Sequence, residues 1–313
     1  MRKIERIAIV GAGLMGRGIA QVFLDHPGYQ VTLYDKFPAM LDVAKGRIQA
    51  DAQSVGSTSC DVERLHLTSE LAEAVGRADL VIEAIPEKLE LKQQLFAEVE
   101  KLAPRDCILA SNTSVIPITS IAEKLENKSR MIGTHWWNPP YLIPLVEVVQ
   151  TTESSTEVIA AVMELLKGLG KTPVHVKKDV PGFVGNRLQH ALWREAIAIV
   201  ESGICDAETV DLCVKNSFGL RLSVLGPLAN ADLVGAELTE DIHRVILPDL
   251  STAKEPSSML REMIEHGKEG SATGKSFLGW SPADREQAVR QLTVRLMQLL
   301  ACKPSTKDDD PGL

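Results

Sequence analysis

Two residues that could transfer a proton lie in the segment GTHWWNPPYLIPLVEVV, residues 133–149. His135 ends one strand-like run and Glu147 lies in the next. If these strands are neighbours, the carboxylate can reach one imidazole nitrogen and leave the other facing the strand ends, where ligands bind. Such a glutamate fixes the histidine tautomer and stabilises the imidazolium that forms on proton abstraction. The pair therefore indicates a general base, with a satisfied core histidine and an edge-strand glutamate as the alternative interpretation.

A glycine-rich turn, VGAGLMG, follows the strand-like run RIAIV and opens a helical pattern. Gly11 permits the tight turn, Gly13 lets the backbone approach a pyrophosphate, and Gly16 allows close contact between helix and strand. The N–H groups at the start of the helix, around Leu14 and Met15, then face the phosphates. The spacing predicts a dinucleotide site.

The type of dinucleotide is indicated by the end of the second strand-like run, QVTLYD. Its last residue, Asp35, carries a carboxylate that can bind both ribose hydroxyls and would repel a 2′-phosphate. We therefore expect NAD rather than NADP, although the neighbouring Lys36 is a contrary sign.

The elements that must position these residues alternate between strand-like and helical patterns through the first half of the chain. The strand-like runs are RIAIV, QVTLYD, ADLVIEAI, CILASN, RMIGTHW, LVEVVQ and TPVHVKK. Between them, LELKQQLFAEVEKLA and STEVIAAVMELLKGLG have helical spacing. This alternation predicts an α/β fold, with an N-terminal Rossmann domain built on a mostly parallel sheet.

The pattern changes after Pro181 and Gly182, beyond which only helical periods follow. We expect an NAD-binding Rossmann domain over residues 1–182, an all-α C-terminal domain over 183–302, and a flexible tail over 303–313. The expected helices of the second domain are at about 183–203, 207–217, 226–246, 257–266 and 282–302.

Composition limits the classes of partner. The chain has 313 residues and a net charge of −8, which argues against a general nucleic-acid or anionic-membrane binder. No apolar stretch reaches membrane-spanning length. The five cysteines are scattered without C-x-x-C spacing, so we expect a reducing cytoplasmic location and neither a disulfide framework nor a metal site.

Four segments, GAGLMGRGIAQ, ASNTS, GTHWWNPPYLIPLVEVV and KKDVPGFVGNRL, occur in an order and spacing that resembles the 3-hydroxyacyl-CoA dehydrogenase family. The resemblance continues through GPLANADLVG to TGKSFLGW and so spans nearly the whole chain. It implies an NAD-dependent dehydrogenase whose catalytic pair is His135 and Glu147, with His135 as the base. It also implies that Ser114 and Asn186 contact the reacting oxygen.

The same resemblance implies cofactor contacts from Glu87, Lys92, Ser114 and Asn138. For three of the implied site residues, an ordinary structural role is the alternative. Ser114 could cap a helix before ITSIAEKL, Asn186 could be an exposed helix asparagine, and Lys92 could be a solvated helix lysine.

Three departures from the family pattern bear on the substrate. The segment between Asp35 and Ala78 is shorter than in the acyl-CoA enzymes, which carry a long basic helical hairpin there. Trp136 and Trp137 replace the usual phenylalanines and could narrow the acyl site or serve in core packing, and Ala272 replaces a lysine.

The segments HWWNPPYLIPLVEV and VKKDVPGF resemble more the branches of the family that act on free hydroxy acids. Such branches include carnitine dehydrogenase, gulonate 3-dehydrogenase with its lens-crystallin relative, diketoreductase, and the dehydrogenases of pyridoxine-derived carboxylic acids. The alternative is a 3-hydroxybutyryl-CoA dehydrogenase of fatty-acid metabolism, and a more remote one is a non-catalytic, NAD-binding, crystallin-like protein.

A free acid would require a cation for its carboxylate, and the candidates are Lys177, Lys178, Arg187 and Arg221. The family also implies a homodimer formed through the helical domains. The apolar runs LWREAIAIV and VRLMQLLA could form that interface or belong to the core of the domain itself.

Overall fold

The first half of the chain is built around one eight-stranded sheet, as seen in a computed structural model that describes residues 3–265 and 276–301. The strand order is β3-β2-β1-β4-β5-β6-β7-β8. Neighbouring strands are parallel except for β6 and β7, which are antiparallel. The strands are β1 Arg6–Val10, β2 Gln30–Tyr34, β3 Leu65–Thr68, β4 Leu80–Glu83, β5 Ile108–Ser111, β6 Met131–Trp136, β7 Leu145–Val149 and β8 Thr172–Val176.

Helices cover both faces of the sheet, which explains why its central strands read as continuous apolar runs. One buried cluster joins the sheet to α1, α3 and α7, and a second cluster on the other face joins it to α4, α5 and α6. These helices, together with α2, are α1 Leu14–Leu24, α2 Pro38–Asp42, α3 Ala44–Ser54, α4 Leu71–Val75, α5 Leu89–Leu102, α6 Ile118–Ile121 and α7 Thr156–Gly168. The expected α/β class with a mostly parallel sheet is confirmed.

Contacts between residues divide the chain into two compact units, with Arg187 in the first and Leu188–Gln298 forming the second. The second unit is helical in the ranges that the structure describes. The second unit contains all or most of seven helices, of which α8 begins before it and α14 ends after it: α8 Gly185–Glu201, α9 Ala207–Lys215, α10 Phe218–Leu222, α11 Pro227–Val234, α12 Ala236–Ile246, α13 Ser258–Glu265 and α14 Pro282–Ala301. The predicted boundary at residue 182 stays a prediction, and the predicted tail, 303–313, lies outside the described residues.

One expectation about the elements was wrong, and two elements were missed. The single helix expected over 226–246 is two helices, because Gly235 adopts a φ of +95° between α11 and α12. The short helix α10 and the edge strand β3 were not predicted. Strand β3 has only four residues, LHLT, and follows the polar stretch SVGSTSCDVE, so its alternation was too short to recognise.

A membrane span is not found among these elements. None of the helices within 3–265 and 276–301 is both long and apolar enough to cross a bilayer.

Candidate active site

Strands β6 and β7 place His135 and Glu147 directly opposite each other in their antiparallel pairing. Opposed side chains of such a pair lie on the same face of the sheet, within contact distance. The Nδ1 atom of His135 lies 2.8 Å from Oε2 of Glu147. Both residues are buried, with 4% of His135 and 0% of Glu147 exposed. The condition for the carboxylate to reach the imidazole, that the two strands are neighbours, is therefore met.

The second carboxylate oxygen of Glu147 is held by the beginning of α8. Its Oε1 accepts hydrogen bonds from the backbone N–H groups of Val184 at 2.9 Å and Gly185 at 3.0 Å. The chain reaches this position through a left-handed turn, in which φ is +73° at Gly182 and +50° at Phe183. A left-handed conformation is unfavourable for phenylalanine, so its persistence indicates that the surrounding contacts fix this turn.

Glu147 is ionised at neutral pH despite its burial. Burial raises its pKa, but the hydrogen bonds with His135 and with the backbone of Gly185 and Val184 outweigh burial and bring its pKa below the ordinary value of 4.5. A carboxylate can only accept hydrogen bonds, so Nδ1 of His135 must be the donor. In the neutral imidazole, Nε2 then carries the free lone pair and can accept a proton.

The two tryptophans beside this pair have different surroundings. Trp137 lies against the imidazole, with ring centroids 5.2 Å apart. A Cβ atom on Gly185 would lie 2.4 Å from Cζ2 of Trp137, so this indole requires a glycine in the first turn of α8. Trp136 is instead buried in the core with Phe23, at a centroid distance of 6.4 Å. Core packing is therefore the correct interpretation for Trp136, whereas both interpretations of Trp137 stay open.

Ser114 and Asn186 lie next to each other at the end of β5 and the start of α8. The side-chain Nδ2 of Asn186 donates to the backbone carbonyl of Ser114 at 2.9 Å, and only 8% of Asn186 is exposed. An exposed asparagine is therefore the wrong alternative. Capping by Ser114 is also wrong, because α6 begins after Pro117 without a side-chain cap. Ser114 is exposed on the loop that follows β5.

A buried ionic network lies at the ends of β4 and β5. Lys92 is 1% exposed, so its alternative interpretation as a solvated lysine is wrong. Its Nζ donates to Glu83 Oε1 at 2.6 Å and to the carbonyl of Ile85 at 3.4 Å, and it lies 3.2 Å from Glu87 Oε2. The other oxygen of Glu83 accepts a hydrogen bond from the hydroxyl of Ser111 at 2.5 Å.

Glu87 connects this network to the loop that carries Ser114. Its Oε1 accepts from the hydroxyl of Thr113 and from the backbone N–H groups of Ser114 at 2.9 Å and Val115 at 3.1 Å. Burial raises the pKa of Glu87, but the hydrogen bond from Thr113, the charge of Lys92 and these backbone donors lower it overall. Glu87 is therefore a carboxylate anchored to the loop.

Sequence reasoning missed Glu83, which is fully buried. Burial raises its pKa, and this effect outweighs the opposing charge of Lys92. The available signal was a glutamate inside the otherwise apolar run ADLVIEAI, since a buried charge needs a partner.

The glycine turn has the shape that a dinucleotide needs. At Gly11, where φ is +109°, a Cβ atom would lie 2.6 Å from the carbonyl oxygen of Ala84, and at Gly16 it would lie 1.7 Å from the carbonyl oxygen of Gly11. A Cβ on Gly13 would meet nothing within 4 Å, so the start of α1 is open where phosphates would approach. Leu14 and Met15 form the first turn of that helix.

Asp35 is fixed beside the glycine turn, at the end of β2. Its carboxylate accepts from the backbone N–H groups of Ala12 at 2.8 Å and Phe37 at 3.0 Å. A carboxylate has about four acceptor positions, so two remain for ribose hydroxyls. The residues at this turn therefore fit NAD.

Asn138 follows the two tryptophans and is exposed, with a cis peptide bond to Pro139. The next residue, Pro140, packs against α1, where a Cβ on Gly18 would lie 2.7 Å from its Cδ. The connection between β6 and β7 thus contacts the helix that begins at the glycine turn.

The candidate cations for a substrate carboxylate are all exposed: Lys177, Lys178, Arg187 and Arg221. The structure does not rank them. Position 272, where the family has a lysine, lies outside the described residues. Within the described ranges, no group of three or more His, Cys, Asp or Glu side chains could hold a metal ion.

The sequence matches both domains of one protein family. Residues 6–180 match the 3-hydroxyacyl-CoA dehydrogenase, NAD binding domain, and residues 182–280 match the 3-hydroxyacyl-CoA dehydrogenase, C-terminal domain. The two matches meet near the left-handed turn at Gly182.

Two kinds of enzyme among the relatives bear on the substrate, and the first is named for a pyridine carboxylate. The chain is 35% identical over 305 residues to the 5-formyl-3-hydroxy-2-methylpyridine 4-carboxylate 5-dehydrogenase of Mesorhizobium japonicum, covering 96% of this chain and 97% of the relative. A crystal structure of an enzyme of that name, described as an NAD+ dependent dismutase, has a TM-score of 0.88 at 34% identity and covers 95% of this chain and 97% of that one.

The second kind acts on a thioester. The crystal structure of (S)-3-hydroxybutyryl-CoA dehydrogenase from Ralstonia eutropha has a TM-score of 0.72 at 30% identity, covering 88% of this chain and 98% of that one. The chain therefore belongs to the 3-hydroxyacyl-CoA dehydrogenase family, whose members similar to it are NAD-dependent oxidoreductases acting on hydroxyl groups.

Proposed function

We propose that this protein oxidises the hydroxyl group of a free hydroxy acid to a carbonyl, with His135 as the general base. The observation that carries the proposal is the buried pair of His135 and an ionised Glu147. Because Glu147 occupies Nδ1, the free Nε2 is the atom that accepts the hydroxyl proton. A positioned base of this kind typically accelerates a reaction about 10²–10⁴-fold.

NAD, when bound, accepts the hydride that leaves the same carbon. Glu147 carries the charge that balances the imidazolium formed on His135. Ser114 and Asn186 are the proposed contacts for the reacting oxygen. The hydrogen bond from the side chain of Asn186 to the backbone carbonyl of Ser114 supports this proposal, because it holds the two residues side by side. Contacts of Glu87, Lys92 and Asn138 with the cofactor stay predictions.

The segment that follows Asp35 favours a free acid over a CoA ester, because it is shorter than the long basic helical hairpin that the acyl-CoA enzymes carry there. That segment holds only the five-residue α2 and the eleven-residue α3 before the turn to β3. The higher structural similarity to the pyridine carboxylate enzyme than to the thioester enzyme, 0.88 against 0.72, also supports a free acid. The candidate alternative is 3-hydroxybutyryl-CoA, since that relative is matched over 98% of its length.

The substrate class is tested by following NADH formation at matched substrate concentrations. The panel contains 3-hydroxybutyryl-CoA, 3-hydroxybutyrate, gulonate, carnitine and hydroxymethyl-pyridine carboxylates. Activity restricted to free acids supports the proposal, whereas activity restricted to the thioester establishes the alternative. NADH binding without turnover of any alcohol would instead favour the non-catalytic, crystallin-like alternative, against which the presence of all four implied catalytic residues argues.

The role of His135 is tested by the substitution His135→Gln. We expect turnover to fall by about 10²–10⁴-fold, because the glutamine cannot accept the hydroxyl proton. NAD affinity should be unchanged, since the glycine turn and Asp35 are separate from the pair. Undiminished turnover of the variant would contradict the mechanism.

We also propose that the protein is a homodimer located in the cytoplasm. Support for the dimer comes from the second unit, in which none of the described residues of Leu188–Gln298 is buried. Support for the location comes from the four cysteines within the described ranges, which are all free.

A further inference from the structure

We infer that Asp179 is a positioning residue whose carboxylate aligns Asn186 with Ser114. Asp179 lies in the connector, which is the segment of residues 177–184 that joins β8 to α8. It acts through the backbone of this connector and not on the substrate itself. The inference rests on the proposed function, because Ser114 and Asn186 are the contacts proposed there for the reacting oxygen.

Both oxygens of the Asp179 carboxylate are bound to the first two residues of α6. Oδ1 accepts from the backbone N–H of Ile118 at 3.1 Å, and Oδ2 accepts from that of Thr119 at 2.7 Å. Hydrogen bonds to an ionised acceptor are roughly twice as strong as those between neutral groups. The carboxylate therefore anchors the connector to α6.

Helix α6 is a fixed point for this anchor, because it packs closely on β6. Ile118 is fully buried, and a Cβ atom on Gly133 of β6 would lie 2.8 Å from its Cδ1 atom. Gly133 precedes His135 by two residues, so both positions lie on the same face of the sheet. Asp179 thus ties the connector to the face of the sheet that carries His135.

The chain around the connector runs antiparallel to the chain that follows β5. Three contacts join the two stretches: Asp179 with Ile118 and Thr119, the N–H of Gly182 with the carbonyl of Val115 at 3.4 Å, and the side chain of Asn186 with the carbonyl of Ser114 at 2.9 Å. As the residue number rises from 179 to 186, the number of the partner falls. The contacts therefore define one register, with Asp179 at one end and Asn186 at the other.

The same register holds the carboxylate that orients His135. The N–H groups of Val184 and Gly185, which bind Glu147, lie between Gly182 and Asn186 in the chain. Loss of the anchor at Asp179 should therefore loosen the support of Glu147 and the alignment of Asn186 together.

The loop that carries Ser114 should stay in place when the anchor is lost. Glu87 still accepts from the N–H groups of Ser114 and Val115. We therefore expect the connector to move relative to the loop.

The first test is Asp179→Asn, which keeps the size of the side chain. The amide has only one acceptor oxygen, and its NH2 group would face the second N–H of α6. We expect faster amide hydrogen exchange in peptides that contain Val184 and Gly185. The kcat should fall by about 10²-fold, the typical cost of a misplacement of about 1 Å near the reacting atoms. NADH affinity, measured by fluorescence titration, should be unchanged, because the glycine turn and Asp35 lie outside the connector.

Glu100→Gln is the matched control, because Glu100 of α5 also accepts from two consecutive backbone N–H groups. These belong to Glu126 at 2.8 Å and Asn127 at 3.0 Å. Glu100 also lies 3.5 Å from Nη2 of Arg130, so its replacement should lower the melting temperature at least as much. The kcat and the exchange of the connector should not change. A loss of kcat in Asp179→Asn no larger than in this control would show a purely structural role and overturn the inference.

Asp179→Glu provides a second variant that should fold even if Asp179→Asn does not. It keeps both acceptor oxygens on a side chain that is longer by one methylene, so the connector should be displaced without losing its anchor. Faster exchange at Val184 and Gly185 and a lower kcat should appear together, and both changes should be smaller than in Asp179→Asn.

The link between exchange and turnover is what decides the inference. Faster exchange at Val184 and Gly185 with the kcat of the wild type would overturn it, and so would a lower kcat with unchanged exchange. If the wild-type protein oxidised no alcohol, the proposed function would fail, whereas the exchange measurements would still decide whether Asp179 holds the connector.

Discussion

The ionised carboxylate of Glu147 should stabilise the folded protein. Its lowered pKa means that it stabilises the folded protein fully above its ordinary value of 4.5, and that this contribution is lost as the pH falls through the lower folded value. The difference in free energy of unfolding between the wild type and Glu147→Gln should therefore shrink as the pH falls below 4.5. Chemical denaturation at pH 7 and at pH 3–4 measures it, and a difference that grows in acid would contradict this assignment.

The direction of the reaction should respond to pH through His135. In the proposed mechanism, oxidation needs the neutral imidazole of His135 to accept a proton, whereas ketone reduction needs its imidazolium to donate one. Oxidation should therefore become faster as the pH rises, and reduction should become faster as the pH falls. Initial rates in both directions across a pH series test this, and two profiles of the same shape would exclude His135 as the proton carrier.

Two neighbouring tryptophans provide a matched test of substrate size. Trp137→Phe removes part of the indole beside His135, so it should raise kcat/KM for bulky hydroxy acids relative to compact ones. Trp136→Phe removes similar bulk from the core and should lower stability by about 1–3 kcal/mol without changing this preference. Equal changes of preference in both variants would refute the idea that Trp137 bounds the substrate space.

The candidate pair was predictable from sequence because a histidine and a glutamate stand out within apolar strands. The partners of these residues were not. The N–H groups of Val184 and Gly185 reach Glu147 only because Phe183 adopts a left-handed conformation, which its residue type does not indicate. The ion pair of Lys92 with Glu83 likewise depends on how α5 packs beside β4.

At the scale of elements, hydrophobic patterns predicted seven strands and the long helices α5 and α7 close to where the structure has them. Long, strongly periodic segments are the most predictable ones. The pattern failed at β3, which is short and lies at the sheet edge, and at Gly235, where α12 follows α11 with a single glycine between them.

Gly235 gives a test of that second failure. Its φ of +95° is unfavourable for residues with a Cβ, so Gly235→Ala should destabilise the protein by at least about 1 kcal/mol. Gly46→Ala is the control, because Gly46 lies inside α3 and a Cβ there would meet nothing within 4 Å. It should stabilise the protein by about 0.4–1 kcal/mol. Thermal unfolding of both variants decides, and equal shifts would contradict a special conformation at Gly235.

At the scale of the whole molecule, the second unit exposes many large apolar side chains, including Leu228 at 80% and Val245 at 79%. Soluble monomers rarely leave extensive apolar surface exposed. We therefore expect a second copy of the chain to bury this surface in a dimer. The melting temperature should then rise with protein concentration, and light scattering should give twice the mass of one chain. A monomeric mass with a constant melting temperature would contradict the dimer.

The antiparallel pairing of β6 and β7 also constrains where residues can be inserted or deleted in the chain. Side chains alternate between the faces of a strand, so a slip of one residue would turn Glu147 away and place Val146 or Val148 opposite His135. Insertions and deletions of one residue within either strand should therefore be rare among related chains that keep both residues. A change of length in the connection leaves the register of the strands unchanged, and an alignment of such chains would reveal the contrast.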